Sequence, residues 1–276
     1  MDIIDNSPNR FSKTYINGCE IIVRSGIPIE AVTPESLVPK ENTASSRFAN
    51  VFTTVLDIDG RRIKVYVKQF LYRSNIDRLK HLLRNSRAER SLSAAKMLCE
   101  NGFNSPKIIA VVQKKKGPVC TENILITEEL NDAKSIYDRE KDFIDNAKFS
   151  VSDKREFVRQ LAGEIGKLHA KNISHGDLRP GNIFAEKDRD KWRFYFLDNE
   201  RTVRYKKLPL KLRIKNLVQI NMLANRPFGL TDRIRFYKEY IRQNPALKDD
   251  RIELLREIAT ISRRRMKKIF RQEQVL

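Results

Sequence analysis

The 276-residue chain has little cysteine, histidine or tryptophan: three, three and one residues respectively. Cys19, Cys99 and Cys120 are odd in number, widely spaced and form no CxxC pair, so neither a disulfide framework nor a zinc cluster is expected. Such usage fits a reducing, cytoplasmic compartment. Long apolar runs are missing too. The longest clean one, Ile108-Ile-Ala-Val-Val112, is far too short to span a bilayer. Near the start, Ser7, Pro8, Asn9, Arg10, Ser12 and Lys13 break up any signal-like segment. Any membrane contact is therefore expected to be peripheral. The chain shows no internal repeat and no low-complexity tract.

Hydrophobic residues make up 40% of the chain and aromatics 8%, enough for one large core or two modest ones, which excludes wholesale disorder. The formal net charge of +20 makes the surface attractive to nucleic acid, to phosphorylated substrates or to an anionic membrane face. Two classes stay open at this point: a basic binding protein, and an enzyme with an anionic substrate.

Residues 1–45 carry scattered strand signals and four prolines, and read as an irregular lead-in. From Val51 the chain turns β-branched and aromatic. Asp59-Gly60 supplies a turn and strand character resumes over 63–70, which predicts a hairpin. Ser74-Asn-Ile-Asp77 resembles a capping box leading into Leu79, Leu82 and Leu83. A second box, Ser86-Arg-Ala-Glu89, opens a helix that stops near Asn101-Gly102. Strands are predicted over 107–113 and 123–127, joined by the basic turn 114–117. Beyond Asn131 the pattern is mostly helical. Val158, Leu161, Ile165 and Leu168 share one face of a helix over 153–171, with Asp153 and Glu156 as its cap and Asn172 as its stop. A short hairpin is predicted over 182–198, with helices from there on. The expectation is an α+β fold in two parts: a strand-rich lobe over 1–130 and a helical lobe over 131–276.

The chemistry concentrates in His175-Gly-Asp-Leu-Arg-Pro-Gly-Asn-Ile-Phe184. Asp177 and Asn182 are five residues apart, and Asp198 follows sixteen later. Antiparallel pairing of the two predicted strands brings Asn182 beside Asp198, with Asp177 on the preceding loop. Two carboxylates and an amide oxygen then converge. Oxygen donors of this kind suit Mg²⁺ shared with substrate phosphates, which leaves one Asp to orient a nucleophilic hydroxyl.

Here the chain resembles the bilobal protein-kinase-like fold, whose catalytic loop reads Asp, four residues, then Asn. Upstream, Lys68 in Tyr66-Val-Lys-Gln69 matches the phosphate-binding lysine, and Glu89 matches the glutamate that braces it. Leu125-Ile-Thr-Glu-Glu-Leu130 looks like the strand and hinge for adenine, which implies Glu128 and Leu130 as nucleotide contacts. More closely, the sequence resembles the Kdo/WaaP lipopolysaccharide kinase family. That likeness rests on Lys68, Arg87-Ala-Glu-Arg90, Gly102, Pro106, His175-Gly-Asp177, Arg213-Ile-Lys-Asn-Leu217, and the segment from Leu230-Thr-Asp232 to Tyr240. It implies transfer of phosphate from ATP to an inner-core sugar hydroxyl, of Kdo or heptose. Asp177 and Arg179 would be catalytic, Asn182 and Asp198 would hold Mg²⁺, and Lys68 and Glu89 would grip the nucleotide.

The chain also departs from the protein-kinase pattern. Thr43-Ala-Ser-Ser-Arg-Phe48 has no glycine where a Gly-rich phosphate loop would lie. Asp198 is followed by Asn199 and Glu200 rather than Phe-Gly, no Ala-Pro-Glu follows, and Gly176 stands where protein kinases carry Arg. A glycolipid or small-molecule acceptor is therefore preferred to a protein. The alternatives are a kinase of another small molecule, aminoglycoside- or fructosamine-like, or a basic nucleic-acid-binding or scaffolding pseudokinase. No specific nucleic acid is expected.

Each signal has a plainer counterpart. Lys68 would serve as an edge-strand solubility charge, Glu89 as the closing residue of its capping box, and Arg179 as a solvated loop charge. His169 and His175 read as structural, and the cations from Arg201 to Lys215 as a solvated face. The C-terminal run from Arg263 to Arg271 mixes cations with Met266, Ile269 and Phe270, a composition suited to an interfacial helix on an anionic membrane.

Overall fold

The computed structural model describes residues 10–39, 41–46, 48–58, 60–72, 84–116, 119–144, 149–223 and 227–273. The chain divides into two compact units, one of residues 1–99 and 105–131, the other of residues 100–104 and 132–276.

The first unit is built on a seven-stranded antiparallel sheet. Its strands are β1 (Phe11–Ile16), β2 (Cys19–Arg24), β3 (Glu41–Ser46), β4 (Ala49–Ile58), β5 (Arg61–Phe70), β6 (Ile108–Lys116) and β7 (Val119–Glu128), in the spatial order β1-β2-β6-β7-β5-β4-β3. The region expected as an irregular lead-in thus supplies β1, β2 and most of β3. Its first hairpin turns on Asn17-Gly18, both at positive φ (50° and 74°), with Ile16 paired to Cys19. That is the two-residue turn whose twist suits a hairpin, and Asn-Gly adopts it at least cost. The basic residues 114–116 continue β6 instead of forming the expected turn. The helix expected after Ser74 lies outside the described residues.

Alternation sorts the strand residues to two faces. Ile21, Val23, Val65, Val67, Val112 and Ile126 are buried on one face against the segment holding Val32 and Leu37. Phe70, Ile108, Val111 and Leu125 are buried on the other against Ala88 and Leu92. The latter two belong to helix α1 (Arg87–Glu100), which ends as expected at Gly102 in the left-handed region (φ +80°).

The second unit is mostly helical: α2 (Ile136–Ile144), α3 (Val151–Ala170), α4 (Leu210–Ile220), α5 (Leu230–Gln243) and α6 (Arg251–Glu273). A hairpin of β10 (Ile183–Asp188) and β11 (Lys191–Phe196) is extended by β8 (Lys134–Ser135), while β9 (Ile173–Ser174) pairs with β12 (Val203–Arg204). The cap of α3 is Ser150, not Asp153. Its hydroxyl accepts from the Asp153 N–H at 3.1 Å, and the Asp153 carboxylate accepts from the Ser150 N–H at 2.9 Å. Phe143, Phe149, Phe157, Trp192 and Phe228 pack ring on ring, with centroids 4.9–6.1 Å apart, and anchor the hairpin to α2 and α3. Helices α3 and α5 meet closely at Gly166, where a Cβ would lie 2.6 Å from that of Gln243. An apolar cavity of about 280 Å³ opens between the helices, lined by Phe157, Leu161, Leu217, Ile220, Phe236 and Ile258 among others.

Candidate active site

The hairpin brings two of the expected ligands, Asn182 and Asp198, to its open end. Ile183 pairs with Phe196, and one step beyond, the Leu197 N–H donates to the Asn182 carbonyl at 2.9 Å. Asp198 follows directly, in the left-handed conformation (φ 57°, ψ 47°) that caps a single 3₁₀ turn, Asn199–Arg201. A non-glycine residue in that region is uncommon and clusters at functional sites. The Asn182 amide Nδ2 donates to the Asp177 carbonyl at 2.9 Å. Asn182 Oδ1 and the Asp198 carboxylate are hard oxygen donors, and that donor chemistry fits a Mg²⁺ ion.

Asp177 is held from both sides. Gln219 Nε2 donates to Oδ1 at 2.8 Å, while Arg179 donates through Nε and Nη2 to Oδ2 at 3.0 and 2.7 Å. Arg179, expected to be a cation for the transferring group, is here the ion-pair partner of Asp177. Its own side chain remains 60% exposed.

His175 braces the loop in a single tautomer. Nε2–H donates to the Leu197 carbonyl at 2.9 Å, leaving Nδ1 to accept from the Asp177 N–H. Burial pushes its pKa down, against the pull of the Leu197 carbonyl and Asp198, so the ring stays neutral. Gly176 is demanded by a close approach: a Cβ there would lie 2.2 Å from Arg201 Cβ and 2.7 Å from the Arg201 carbonyl oxygen. The protein-kinase Arg cannot occupy this position because the backbone after Asp198 already fills the space.

Behind the loop lies a buried polar chain. Arg213 Nη1 donates to Tyr240 Oη at 2.6 Å and to Asn244 Oδ1 at 2.7 Å. With that lone pair engaged, the Tyr240 hydroxyl gives its proton to His169 Nδ1 at 2.9 Å, and His169 Nε2–H reaches Asn216 Oδ1 at 3.2 Å. Burial, with Arg213 adding to it, lowers the His169 pKa to about 3. Burial likewise raises the Tyr240 phenol, so both groups are neutral. Asn216 Oδ1 also accepts from Ser174 Oγ and from the His175 N–H, both at 3.2 Å. Arg213, assigned from sequence to a solvated face, is only 9% exposed. It lies on the inward face of α4, whereas Arg201, Arg204, Lys206, Lys207 and Lys211 are exposed as expected.

Gln219, Asn216 and Lys215 are the site residues that sequence reasoning missed. A signal for Asn216 and Gln219 was the spacing of Arg213, Asn216 and Gln219, three apart on one helical face, among buried Leu217, Val218 and Ile220.

In the first unit, Lys68 sits on β5 on the same face as Phe70, its Nζ 5.0 Å from the Phe70 ring centroid. The Arg87 guanidinium also lies over that ring, 4.5 Å from its centroid. Glu89 fills its capping role. Its Oε2 accepts from the Ser86 N–H at 2.9 Å, and its own N–H donates to Ser86 Oγ at 3.1 Å, closing the capping box at the start of α1. Glu128 ends β7 and pairs with Lys107 at 3.3 Å, and Leu130 is half-buried just beyond it. The glycine-free stretch 43–46 is strand, its register to β4 shifting between Thr43 and Ser46.

A loop aspartate held by a helix side chain, an asparagine five residues on and a second aspartate after a hairpin follow the same order as in the protein-kinase-like phosphotransferases. Residues 40–240 match the family described as the Lipopolysaccharide kinase (Kdo/WaaP) family. The chain belongs to that family, and it is a lipopolysaccharide kinase. Its fold is shared with a solved structure titled "WaaP in complex with acyl carrier protein", with a TM-score of 0.62 and 19% identity over 83% of this chain and 90% of that one. No curated protein matches the chain by sequence.

Proposed function

We propose that the protein transfers the terminal phosphoryl group of ATP to a sugar hydroxyl of the lipopolysaccharide inner core. The observation that carries this reading is the Asp177 carboxylate, held by Gln219 and Arg179 on a loop whose glycine admits no side chain. Such a carboxylate can accept a hydrogen bond from an acceptor hydroxyl and take its proton as the phosphoryl group transfers. Asn182 and Asp198 would hold Mg²⁺, whose charge would neutralise that of the nucleotide phosphates. Lys68 takes the ATP phosphates, with the Glu89 oxygen that the capping bond leaves aside as its brace. The segment from Glu128 to Leu130 receives the adenine. Arg179 is the mobile cation of the site, exchanging Asp177 for the transferring group.

The acceptor lies at a membrane surface in this reading, with the protein on its cytoplasmic face. The support is on α6. Leu254, Ile258 and Ser262 are buried, whereas Arg263, Arg264, Arg265, Lys267 and Lys268 are exposed. Among the described residues no helix is long and apolar enough to cross a membrane. Each such cation near an anionic surface contributes about 1 kcal/mol. Reversing the charge at Arg263, Arg264, Lys267 and Lys268 should therefore weaken binding to anionic liposomes while sparing turnover of a soluble acceptor fragment. Unchanged liposome binding would leave α6 as a solvated face.

The central test is Asp177→Asn, assayed with ATP, Mg²⁺ and inner-core lipopolysaccharide stripped of its phosphates. Turnover should fall by about 10²–10⁴-fold, with melting temperature and nucleotide affinity little changed. Parental turnover in this variant would sink the assignment of Asp177.

A further inference from the structure

Helix α4 takes hold of the catalytic loop at every residue from Ser174 to Leu178. Asn216 Oδ1 accepts from Ser174 Oγ and the His175 N–H. Lys215 Nζ donates to the Gly176 carbonyl at 2.8 Å. Gln219 Nε2 donates to Asp177 Oδ1, and its Oε1 accepts from the Leu178 N–H at 3.2 Å. Of these three side chains, Gln219 alone reaches the reactive carboxylate.

Its amide has one workable orientation. Oε1 already accepts from the Leu178 N–H and from Asn216 Nδ2, also at 3.2 Å. Flipping the amide would set an oxygen against the Asp177 carboxylate and an NH₂ group against two donors. Gln219 is 5% exposed, so water cannot replace these partners. The two groups on Asp177 therefore differ in kind. Gln219 is a buried, singly oriented donor on Oδ1. Arg179 is an exposed side chain on Oδ2, and exposed ion pairs are weak enough to be exchanged.

We propose that Gln219 is the positioning residue of the phosphoryl transfer: it locks Asp177 through Oδ1, so that Oδ2 is the oxygen that receives the acceptor hydroxyl once Arg179 moves off it. The proposal rests on the reading of Asp177 given above. Arg179 occupies the hydroxyl's place in the acceptor-free protein and keeps the carboxylate paired until the acceptor arrives. Gln219 acts through Asp177 and touches neither substrate.

The test compares Gln219→Met, Gln219→Glu, Asp177→Ala and the double variant Asp177→Ala/Gln219→Met in the full chain. The acceptor is lipopolysaccharide stripped of its core phosphates, with ATP and Mg²⁺. Gln219→Met should lower kcat by about 10- to 100-fold, the loss expected for one hydrogen bond to a charged group, while KM for ATP changes by less than about twofold. Gln219→Glu keeps an acceptor for the Leu178 N–H but cannot donate to Asp177, so it should fall at least as far. In the Asp177→Ala background there is no carboxylate left to position, and adding Gln219→Met should change the residual rate by less than about twofold. The proposal is overturned if Gln219→Glu keeps the parental kcat, since anchoring Leu178 would then be the whole role. It is equally overturned if the loss from Gln219→Met persists undiminished in the Asp177→Ala background. Should Asp177→Ala itself retain parental turnover, the reading of Asp177 fails and this inference with it, a result separate from the other two.

Discussion

The two units are held together by different physics. In the first, the sheet closes its faces with Val, Ile and Leu at alternate positions, and an apolar cluster forms on each face. In the second, the loop bearing Asp177 rests on a buried chain of side-chain hydrogen bonds running from Arg213 through Tyr240, His169 and Asn216 to Gln219. Apolar contacts are non-directional and tolerate small errors, whereas a buried polar chain works only when every member has its partner. The sheet supplies bulk stability. The polar chain supplies orientation, which is what a phosphotransferase loop requires.

The largest effect should come from Gly176→Ala. The added Cβ would meet Arg201 backbone and Cβ well inside contact distance, and the loop must shift to admit it. A displacement of about 1 Å at the chemistry costs on the order of 10²-fold in turnover, so activity should fall at least that far. Circular dichroism and thermal melting would show a folded protein, and near-parental turnover would break the comparison drawn here.

The next effect separates the units by pH. His169 has its folded pKa depressed to about 3, against about 6.5 for an unfolded histidine. Between those values the unfolded chain binds a proton that the folded one does not, so stability rises with pH across this window. The contribution is complete above pH 6.5 and is lost progressively as the pH falls toward 3, at roughly 1.4 kcal/mol per unit while it lasts. His175, also depressed by burial, acts in the same direction. Denaturant midpoints measured from pH 7 to pH 4 should fall less steeply for His169→Gln than for the parent. Parallel curves would remove His169 from the account.

The smallest effect should be in the sheet. Ile126 is fully buried there, and Ile126→Val deletes one methylene. Stability should drop by about 0.5–1.5 kcal/mol with no change in kcat at saturating substrate. If kcat falls as well, the apolar unit also contributes to orientation and the contrast needs redrawing.

Much of this was legible from local pattern. The capping box at Ser86 and Glu89, the left-handed stop at Asn172 and the 182–198 hairpin all depend on neighbours in sequence, and each formed where its residues predicted. The Asn17-Gly18 hairpin was equally local, but the prolines around it masked its signal. The role of Arg213 was not local at all. A cation among Lys211, Arg213 and Lys215 looks like part of a solvated face until the helix is seen to turn Arg213 toward Tyr240 and Asn244, residues 27 and 31 positions away.

The sequence by itself determined most of the strand and helix segments from Val51 onward, the order of the candidate site residues and the hairpin that starts after Asn182 and ends before Asp198. These follow from periodicity, turn chemistry and antiparallel geometry over a few residues. Only the tertiary structure decided that Arg213 turns inward, that Gly176 is glycine because Arg201 presses on it, and that Gln219 holds Asp177 from 42 residues away. Contacts of that kind depend on which faces of separate elements are brought together. That is settled by packing the whole unit, and no local pattern encodes it.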